Sequence, residues 1–442
     1  MVRNTSLETV QAQAVVEARL GRPPQDVLEA AVVLEAWVGI PAARALDAGH
    51  HIIGSTIGTR RPSTAVLPPA TRTEGLALEA IAFIAAMIAI ACWAAPLSDA
   101  LGVQPVKQAL LIALPLTVGL QWGVNSRYLS RPRGTVHLGR HTLALALLAG
   151  ALIVSLAIAF RLSGLIAGLL AVMWTGGTIL ISSRLADGYM GLVLLATTGI
   201  YAGLPAVAVL AGAAAATTVI VILTVTITVK HDEATHKPGR WSRVGMAAAI
   251  GLGIGALLVV DRSIDWSLGA VPALGLLPST IASFWGGSYL WRFQDVLPRA
   301  IAGIPVSGNS VRGTARVPLV LLLGAIGRLA FLTAALSLIL VFGAQLFGVT
   351  VSGASVLAGF GLVALATLLV GLLEAVGRGP LALSALIVAV MVELVVSRWD
   401  DGSVPGVGMI AGAAVVVALT VPTALVALSR PATTLATRLR VL

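Results

Sequence analysis

Long apolar runs separated by short polar connections dominate the chain from about residue 74 to residue 430. A helix rises 1.5 Å per residue, so about twenty apolar residues cross the roughly 30 Å hydrocarbon core of a bilayer. Runs of this length lie near 75–96, 106–124, 142–160, 163–182, 188–206, 207–229, 243–261, 267–288, 318–345, 350–372, 380–397 and 404–429. The pattern predicts an all-α polytopic membrane protein with about twelve transmembrane helices.

Two places leave the number of spans open. The third and fourth runs are separated only by Arg161-Leu162-Ser163-Gly164, and the fifth and sixth only by the Gly203-Leu204-Pro205 turn. Each pair of runs is therefore open to miscounting. Twelve spans are favoured over ten or eleven because the charges of the connections then alternate.

The basic residues concentrate in every second connection, as expected for the cytoplasmic side of a plasma (inner) membrane. This side is predicted to hold Arg127, Arg131, Arg133, Arg140, Arg184, Lys230, Lys237, Arg240, Arg243, Arg292, Arg299, Arg312, Arg316, Arg378, Arg430, Arg438 and Arg440. The first spanning run begins near Leu76, too late for a signal peptide, so both termini are predicted to be cytoplasmic. The net charge of +10 therefore reflects membrane orientation, and no nucleic-acid partner is expected.

Loop lengths divide the spans into two six-helix halves, 74–230 and 243–430, joined by 231–242 and followed by a tail, 431–442. The second connection of each half is long and basic, at about 125–141 and 289–317. Trp122-Gly123 and Trp285-Gly286 each precede such a connection. Parallel six-helix repeats are a recurring plan of membrane transporters.

Residues 1–73 are predicted to form a small cytoplasmic helical segment and a linker. Thr5 and Glu8 have the spacing of a capping box, and Pro23-Pro24 precedes a second amphipathic stretch. A segment this small barely supports its own core. We expect it to dock on the membrane portion or to bind a protein partner through residues 1–50.

The residues offer little for catalysis or for a cofactor. Cys92 is the single cysteine, no glycine-rich phosphate loop is present, and the six histidines lie in the N-terminal region or in cytoplasmic connections. The favoured interpretation of Asp261, Arg262 and Asp265 is a solvated, self-neutralised turn. We therefore predict no enzyme activity, no metal and no cofactor, with lipid-carrier-dependent glycosyl transfer as an alternative.

Ionisable groups within or near the spans are the better functional candidates, because burying them in a bilayer is costly. Arg328 lies inside the ninth run, and Glu393 and Glu79 lie in the eleventh and the first. Arg131 and Arg292 follow the second and eighth spans, where they are expected to face a cytoplasmic cavity. The alternative for Arg328 is a helix that begins later than the apolar run. Glu393 and Glu79 are each close enough to an interface to snorkel or pair, and for Arg131 and Arg292 the alternative is the positive-inside rule itself.

The segment Gln121 to Arg131, which ends the second span in a basic turn, resembles polysaccharide flippases of the multidrug/oligosaccharidyl-lipid/polysaccharide exporter superfamily. The resemblance implies a cavity lined by the first, second, seventh and eighth spans, which here offer Glu79, Asn125, Arg127, Trp285 and Tyr289. It implies a transporter that alternates access between its halves and exports a lipid-linked saccharide or another amphipathic metabolite. The alternatives are a major facilitator, a membrane enzyme of glycan assembly, and a non-catalytic subunit.

Overall fold

The computed structural model describes residues 3–21, 23–24, 26–56, 76–124, 126, 142–182, 185–229, 241–261, 263–264, 274–279, 282, 311–346, 351–399 and 404–429. Within these residues all regular secondary structure is helical. The helices are α1 (Arg3–Leu20), α2 (Val27–Val33), α3 (Ala42–Thr56), α4 (Leu76–Ala91), α5 (Ala94–Leu101), α6 (Val103–Val124), α7 (Thr142–Ser182), α8 (Ala186–Tyr201), α9 (Ala206–Val229), α10 (Trp241–Leu257), α11 (Val311–Leu346), α12 (Val351–Ala375), α13 (Gly379–Trp399) and α14 (Val407–Ser429). A π-helical turn, Leu34–Val38, extends α2, and a short helical segment covers 274–279.

Eight helical segments of the described part are long and apolar enough to cross a membrane. They are Ile84–Leu101, Val103–Val124, Leu152–Ile181, Ala206–Thr224, Ile326–Gly343, Gly353–Ala375, Gly379–Trp399 and Val407–Ala427. The prediction of an all-helical protein embedded in a membrane is thus confirmed. Two further helices, α8 and α10, coincide with the fifth and seventh apolar runs but contain 16 and 17 residues.

α7 is a helical hairpin and not one long rod. Arg161 in its middle has a non-helical backbone with φ 52°, the left-handed region that side chains rarely adopt. A Cβ built on Gly168 would lie 2.9 Å from the Cα atom of Ile153, whereas fifteen residues of straight helix span about 22 Å. The chain therefore reverses at Arg161, and its arms, 142–160 and 162–182, correspond to the third and fourth apolar runs.

α8 and α9 are likewise separate helices. Gly203, with φ 93°, follows α8, and the Leu204 N–H donates to the Gly199 carbonyl oxygen at 3.0 Å. This is a Schellman arrangement, which ends a helix by satisfying its last carbonyl groups. Pro205 then precedes α9, since proline suits the start of a helix and cannot continue one.

The helices between residues 76 and 229 pack in a fixed set of pairs. α4 contacts α8, α6 contacts α7, α7 contacts α9, and α8 contacts α9. Two hydrogen bonds show that α6 runs parallel to the second arm of α7. The Ser163 hydroxyl donates to the Gln108 Oε1 atom near the start of both helices, and the Gln121 Nε2 group donates to the Thr178 Oγ1 atom near their ends.

Three of these pairs have counterparts among the described helices after residue 240, namely α4 with α8, α7 with α9, and α8 with α9. α10 contacts α13, α11 contacts α12, α12 contacts α14, and α13 contacts α14. α10 and α13 are parallel, because Gly379 approaches Met246 while Gly253 approaches Leu386. Ala282, just beyond the 274–279 segment, packs against α12.

α6 and α10 join the two groups through an antiparallel contact of their backbones. A Cβ on Gly251 would lie 2.9 Å from the Cα atom of Gly119, and a Cβ on Gly119 would lie 3.2 Å from the Ala248 carbonyl oxygen. Small residues permit such close approach between membrane helices. The contact therefore depends on van der Waals packing along several turns.

Two of the N-terminal helices contact the longest helix after residue 240. α2 and α3 contact α11. The 36 residues of α11 extend about 54 Å, so it is longer than a bilayer crossing needs. The expected span of 318–345 is therefore only part of a longer helix.

Candidate functional site

Two carboxylate side chains are buried where α10, α13 and α14 meet. Asp261 lies four residues beyond the end of α10 and is 1% exposed, and Glu393 in α13 is 0% exposed. The prediction that Asp261 belongs to a solvated turn is therefore wrong. α14, nearly 150 residues later in the sequence, covers the Asp261 side chain and excludes water from it.

Asp261 holds the first turn of α14. Its Oδ2 atom accepts a hydrogen bond from the Met409 N–H at 3.1 Å, and its Oδ1 atom accepts from the N–H and hydroxyl of Ser263. The Ser263 Oγ atom in turn accepts from the Gly406 N–H at 3.0 Å. The first N–H groups of a helix lack intrahelical partners, and a negative charge there is favourable. This short loop therefore caps a helix that is remote in sequence.

Only one of the two carboxylate oxygens of Glu393 has a hydrogen-bond partner. Its Oε1 atom accepts a hydrogen bond from the Asp261 backbone N–H at 3.1 Å, whereas its Oε2 atom is buried and has no hydrogen-bond partner. Gly412 lets α14 come close, because a Cβ there would lie 3.1 Å from both the Glu393 Cβ and a methyl carbon of Leu257. The unpartnered oxygen therefore lies among packed helices.

Neither carboxylate has a basic partner among the residues that the structure describes. Their donors are backbone N–H groups and the Ser263 hydroxyl. Arg398, on the same helix as Glu393, is exposed. Arg262, Asp265, Asp400 and Asp401 are close in sequence but lie outside the described residues.

A buried carboxylate without a counter-charge costs several kcal/mol, and such groups are stable when they gain a proton or a cation. The described residues contain no group of three or more metal-ligating side chains. The hydrogen bonds of the two carboxylates come from protein N–H and hydroxyl donors, whereas a metal ion would need several oxygen ligands. The arrangement suits the binding and release of a proton.

The structure describes only some of the other predicted site residues. Arg328 is exposed on α11, two residues inside the Ile326–Gly343 segment and beside exposed Phe331 and Leu332. Glu79 lies in the first turns of α4, but its side chain is outside the described part. Six candidates lie outside the described residues: Asn125, Arg127, Arg131, Trp285, Tyr289 and Arg292.

Sequence reasoning selected Glu393 but missed its partner. The Asp261-Arg262-Ser263 sequence has the composition of an exposed turn, and Asp261 comes directly after an apolar run. The available signal was Ser263, since aspartate followed by serine two residues later is typical of a side chain that bonds its own turn.

Comparison with known proteins identifies no relative. No protein-family model matches the chain, no curated protein is significantly similar to it, and no solved structure matches its fold.

Proposed function

We propose that the chain is a proton-coupled transporter of the bacterial plasma membrane, which exports or flips a lipid-linked saccharide or another amphipathic metabolite by alternating access. The observation that carries this proposal is the Glu393 Oε2 atom, buried and unpartnered inside a membrane-length helix beside a second buried carboxylate. An ionisable group inside a membrane protein is retained at a high cost, which favours a functional role.

The repeated helix pairs support twelve spans in two six-helix halves, 74–230 and 243–430. The pairs α10 with α13, α12 with α14, and α13 with α14 repeat α4 with α8, α7 with α9, and α8 with α9. Two such halves are suited to rocking about a shared interface. The α6–α10 contact supplies that interface in the proposed mechanism.

Proton coupling follows from the position of Glu393 between α10 and α14. A proton on this carboxyl group removes its charge, and losing that proton leaves two buried carboxylates side by side. The helices around them then favour an arrangement that admits water or separates the charges. The proton gradient would in this way bias one orientation of the second half.

The resemblance of the Gln121 to Arg131 segment to polysaccharide flippases supports the saccharide part of the proposal. The major facilitator plan, which also uses two six-helix halves, remains the alternative for the fold. No chemical step on the substrate is part of either proposal.

A lipid-translocation assay tests the function. The full chain is reconstituted in liposomes with a fluorescent undecaprenyl diphosphate disaccharide, and dithionite quenching reports how much of this probe changes leaflet. We expect an imposed gradient of one pH unit, worth about 1.4 kcal/mol per proton, to change the steady-state distribution up to about tenfold.

The Glu393→Gln variant is expected to abolish this response to the gradient. The Arg398→Gln variant, which changes an exposed charge on the same helix, serves as the control and should respond like the wild type. A full response in Glu393→Gln would contradict proton coupling through this residue. Absence of any translocation by the folded wild-type protein would contradict the transporter proposal.

A further inference from the structure

The described part of the N-terminal helices exposes three large apolar side chains, and they lie around one arginine. Val15 on α1 is 37% exposed, and Trp37 and Val38 at the end of the π-helical turn are 41% and 48% exposed. The Arg19 guanidinium carbon lies 4.4 Å from the centre of the Trp37 ring. Val15 and Arg19 are four residues apart on α1 and therefore share a face of that helix. These four residues are called the N-terminal patch below.

The chain continues the apolar character of the N-terminal patch into the following turn. Gly39 ends the π-helical turn with a left-handed backbone, φ 73°, and Pro41 follows two residues later. Gly39 and Pro41 are exposed, and Ile40 is half-buried. Turns that face water usually contain polar residues, whereas the five residues from Trp37 to Pro41 carry no charge and no polar group except the indole N–H. This composition indicates a turn that meets an apolar environment.

The N-terminal helices complete their own core without the N-terminal patch. α2 leads directly into the patch, and its residues Ala30, Ala31 and Leu34 are fully buried. α1 adds Val16 and Leu20 to the same apolar cluster. Trp37 and Val38 are therefore not needed to cover these residues and remain available for a surface outside the helices.

The N-terminal helices lie beside a helix that crosses the bilayer. α2 and α3 contact α11, and Ile326 of α11 is buried in the same apolar cluster as Val33 of α2 and Ile52 of α3. Ile326 is the first residue of the membrane-crossing segment Ile326–Gly343. This arrangement indicates that the N-terminal helices sit where α11 enters the bilayer. The membrane surface is then next to them, and no second protein is needed to cover the patch.

We propose that the N-terminal patch anchors α1, α2 and α3 to the surface of the bilayer, with phospholipid as its binding partner. Tryptophan is enriched at membrane interfaces, because its ring is apolar while its N–H reaches the polar headgroups. Arg19 suits the same depth. Its stacking on Trp37 uses the face of the guanidinium group and leaves the N–H groups at its edge for a lipid phosphate. This surface is separate from Asp261 and Glu393 and does not depend on the transport function.

Quenching of a fluorescent label by lipid tests the assignment in the full chain. Cys92, the single cysteine, is replaced by Cys92→Ser, and Val38→Cys then carries an NBD label. The protein is reconstituted in lipid nanodiscs with and without 5-doxyl phosphatidylcholine, which quenches NBD in the bilayer. We expect about twofold stronger quenching at position 38 than at His50→Cys, an exposed polar position of α3, because interfacial apolar groups enter the bilayer by about 5–10 Å.

Variants of the N-terminal patch test its two parts with the label kept at position 38. Trp37→Ser should remove most of the additional quenching. Arg19→Gln should reduce it, and more strongly in discs that contain phosphatidylglycerol, because an anionic surface attracts the guanidinium group. The matched control is Ala18→Ser, an exposed substitution next to Arg19 on α1, which should leave the quenching unchanged.

Two results would overturn the assignment. Equal quenching at positions 38 and 50 would show that the N-terminal patch stays in water. Blue-shifted emission at position 38 without quenching by the doxyl lipid would show that a protein surface, and not lipid, covers the patch. The comparison of the two label positions keeps Trp37 and Arg19 intact, so it decides the question even if Trp37→Ser unfolds the N-terminal helices.

Discussion

Two pairs of contacting helices, α4 with α8 and α10 with α13, differ in the polar chemistry of their contact. Where α4 and α8 meet, the Trp93 indole N–H donates to the Thr197 Oγ1 atom at 2.8 Å, and the Tyr201 hydroxyl donates to the Cys92 carbonyl oxygen at 3.0 Å. All four groups are uncharged. Uncharged hydrogen-bonding groups alone therefore connect these two helices at this contact.

Near the end of α10, the Asp261 backbone N–H donates to the Glu393 Oε1 atom of α13 at 3.1 Å. One carboxylate oxygen of Glu393 has no hydrogen-bond partner, although the side chain is fully buried. The packing pattern alone would have been satisfied by a neutral pair, as in the first group. The difference teaches that the second contact combines a structural carboxylate, Asp261, which caps α14, with a second carboxylate, Glu393, that has one oxygen without a hydrogen-bond partner.

The largest effect on this comparison is expected from Asp261→Ala. Loss of the carboxylate leaves the Met409 N–H and the Ser263 hydroxyl without their acceptor, and the first turn of α14 loses its cap. The free energy of unfolding should fall by about 3 kcal/mol, measured by denaturant titration in detergent micelles. Asp261→Asn keeps an acceptor and should lose less than half as much. Equal stability of the alanine variant and the wild type would refute the capping role.

A smaller effect is expected from Gly412→Ala, with Gly212→Ala as its counterpart in the first group. A Cβ on Gly412 would lie 3.1 Å from the Glu393 Cβ and from the Ala389 carbonyl oxygen, whereas a Cβ on Gly212 would meet nothing within 4 Å. Gly412→Ala should cost about 2 kcal/mol through overpacking, and Gly212→Ala should be neutral or stabilise α9 by about 1 kcal/mol. The same denaturant titration measures both. Similar effects of the two substitutions would argue against tight packing around Glu393.

The smallest effect is expected from Trp93→Phe, which removes the hydrogen bond from the indole N–H to the Thr197 Oγ1 atom. The free energy of unfolding should fall by about 1 kcal/mol, because the Thr197 hydroxyl keeps its own bond to the Val193 carbonyl oxygen. Thermal and denaturant unfolding measure this loss. Gradient-dependent translocation should persist in Trp93→Phe, and its disappearance would show that the first group also takes part in coupling.

Much of the fold was predictable from the sequence, because spans need long apolar runs and turns need special residues. Gly203 and Pro205 marked the end of α8, and Arg161 stands at the reversal of α7. The extension of α11 beyond its apolar part was not predicted, since the apolar run marks only the stretch that crosses the bilayer and not where the helix itself begins.

The site was predictable only in part. Glu393 stood out because a charged residue interrupts an apolar run. Burial of Asp261 depends on α14, whose first turn is brought to it only by the tertiary fold.

The hairpin at Arg161 has a consequence for how the protein is made. One residue with a left-handed backbone joins the two arms, so no hydrophilic loop is available to be translocated on its own. With the N-terminus predicted to be cytoplasmic, we expect the two arms to leave the insertion machinery together, already paired, and to carry one guanidinium group across the bilayer at their tip. Biogenesis of this region would then depend on the turn forming early, while the chain is still attached to the ribosome.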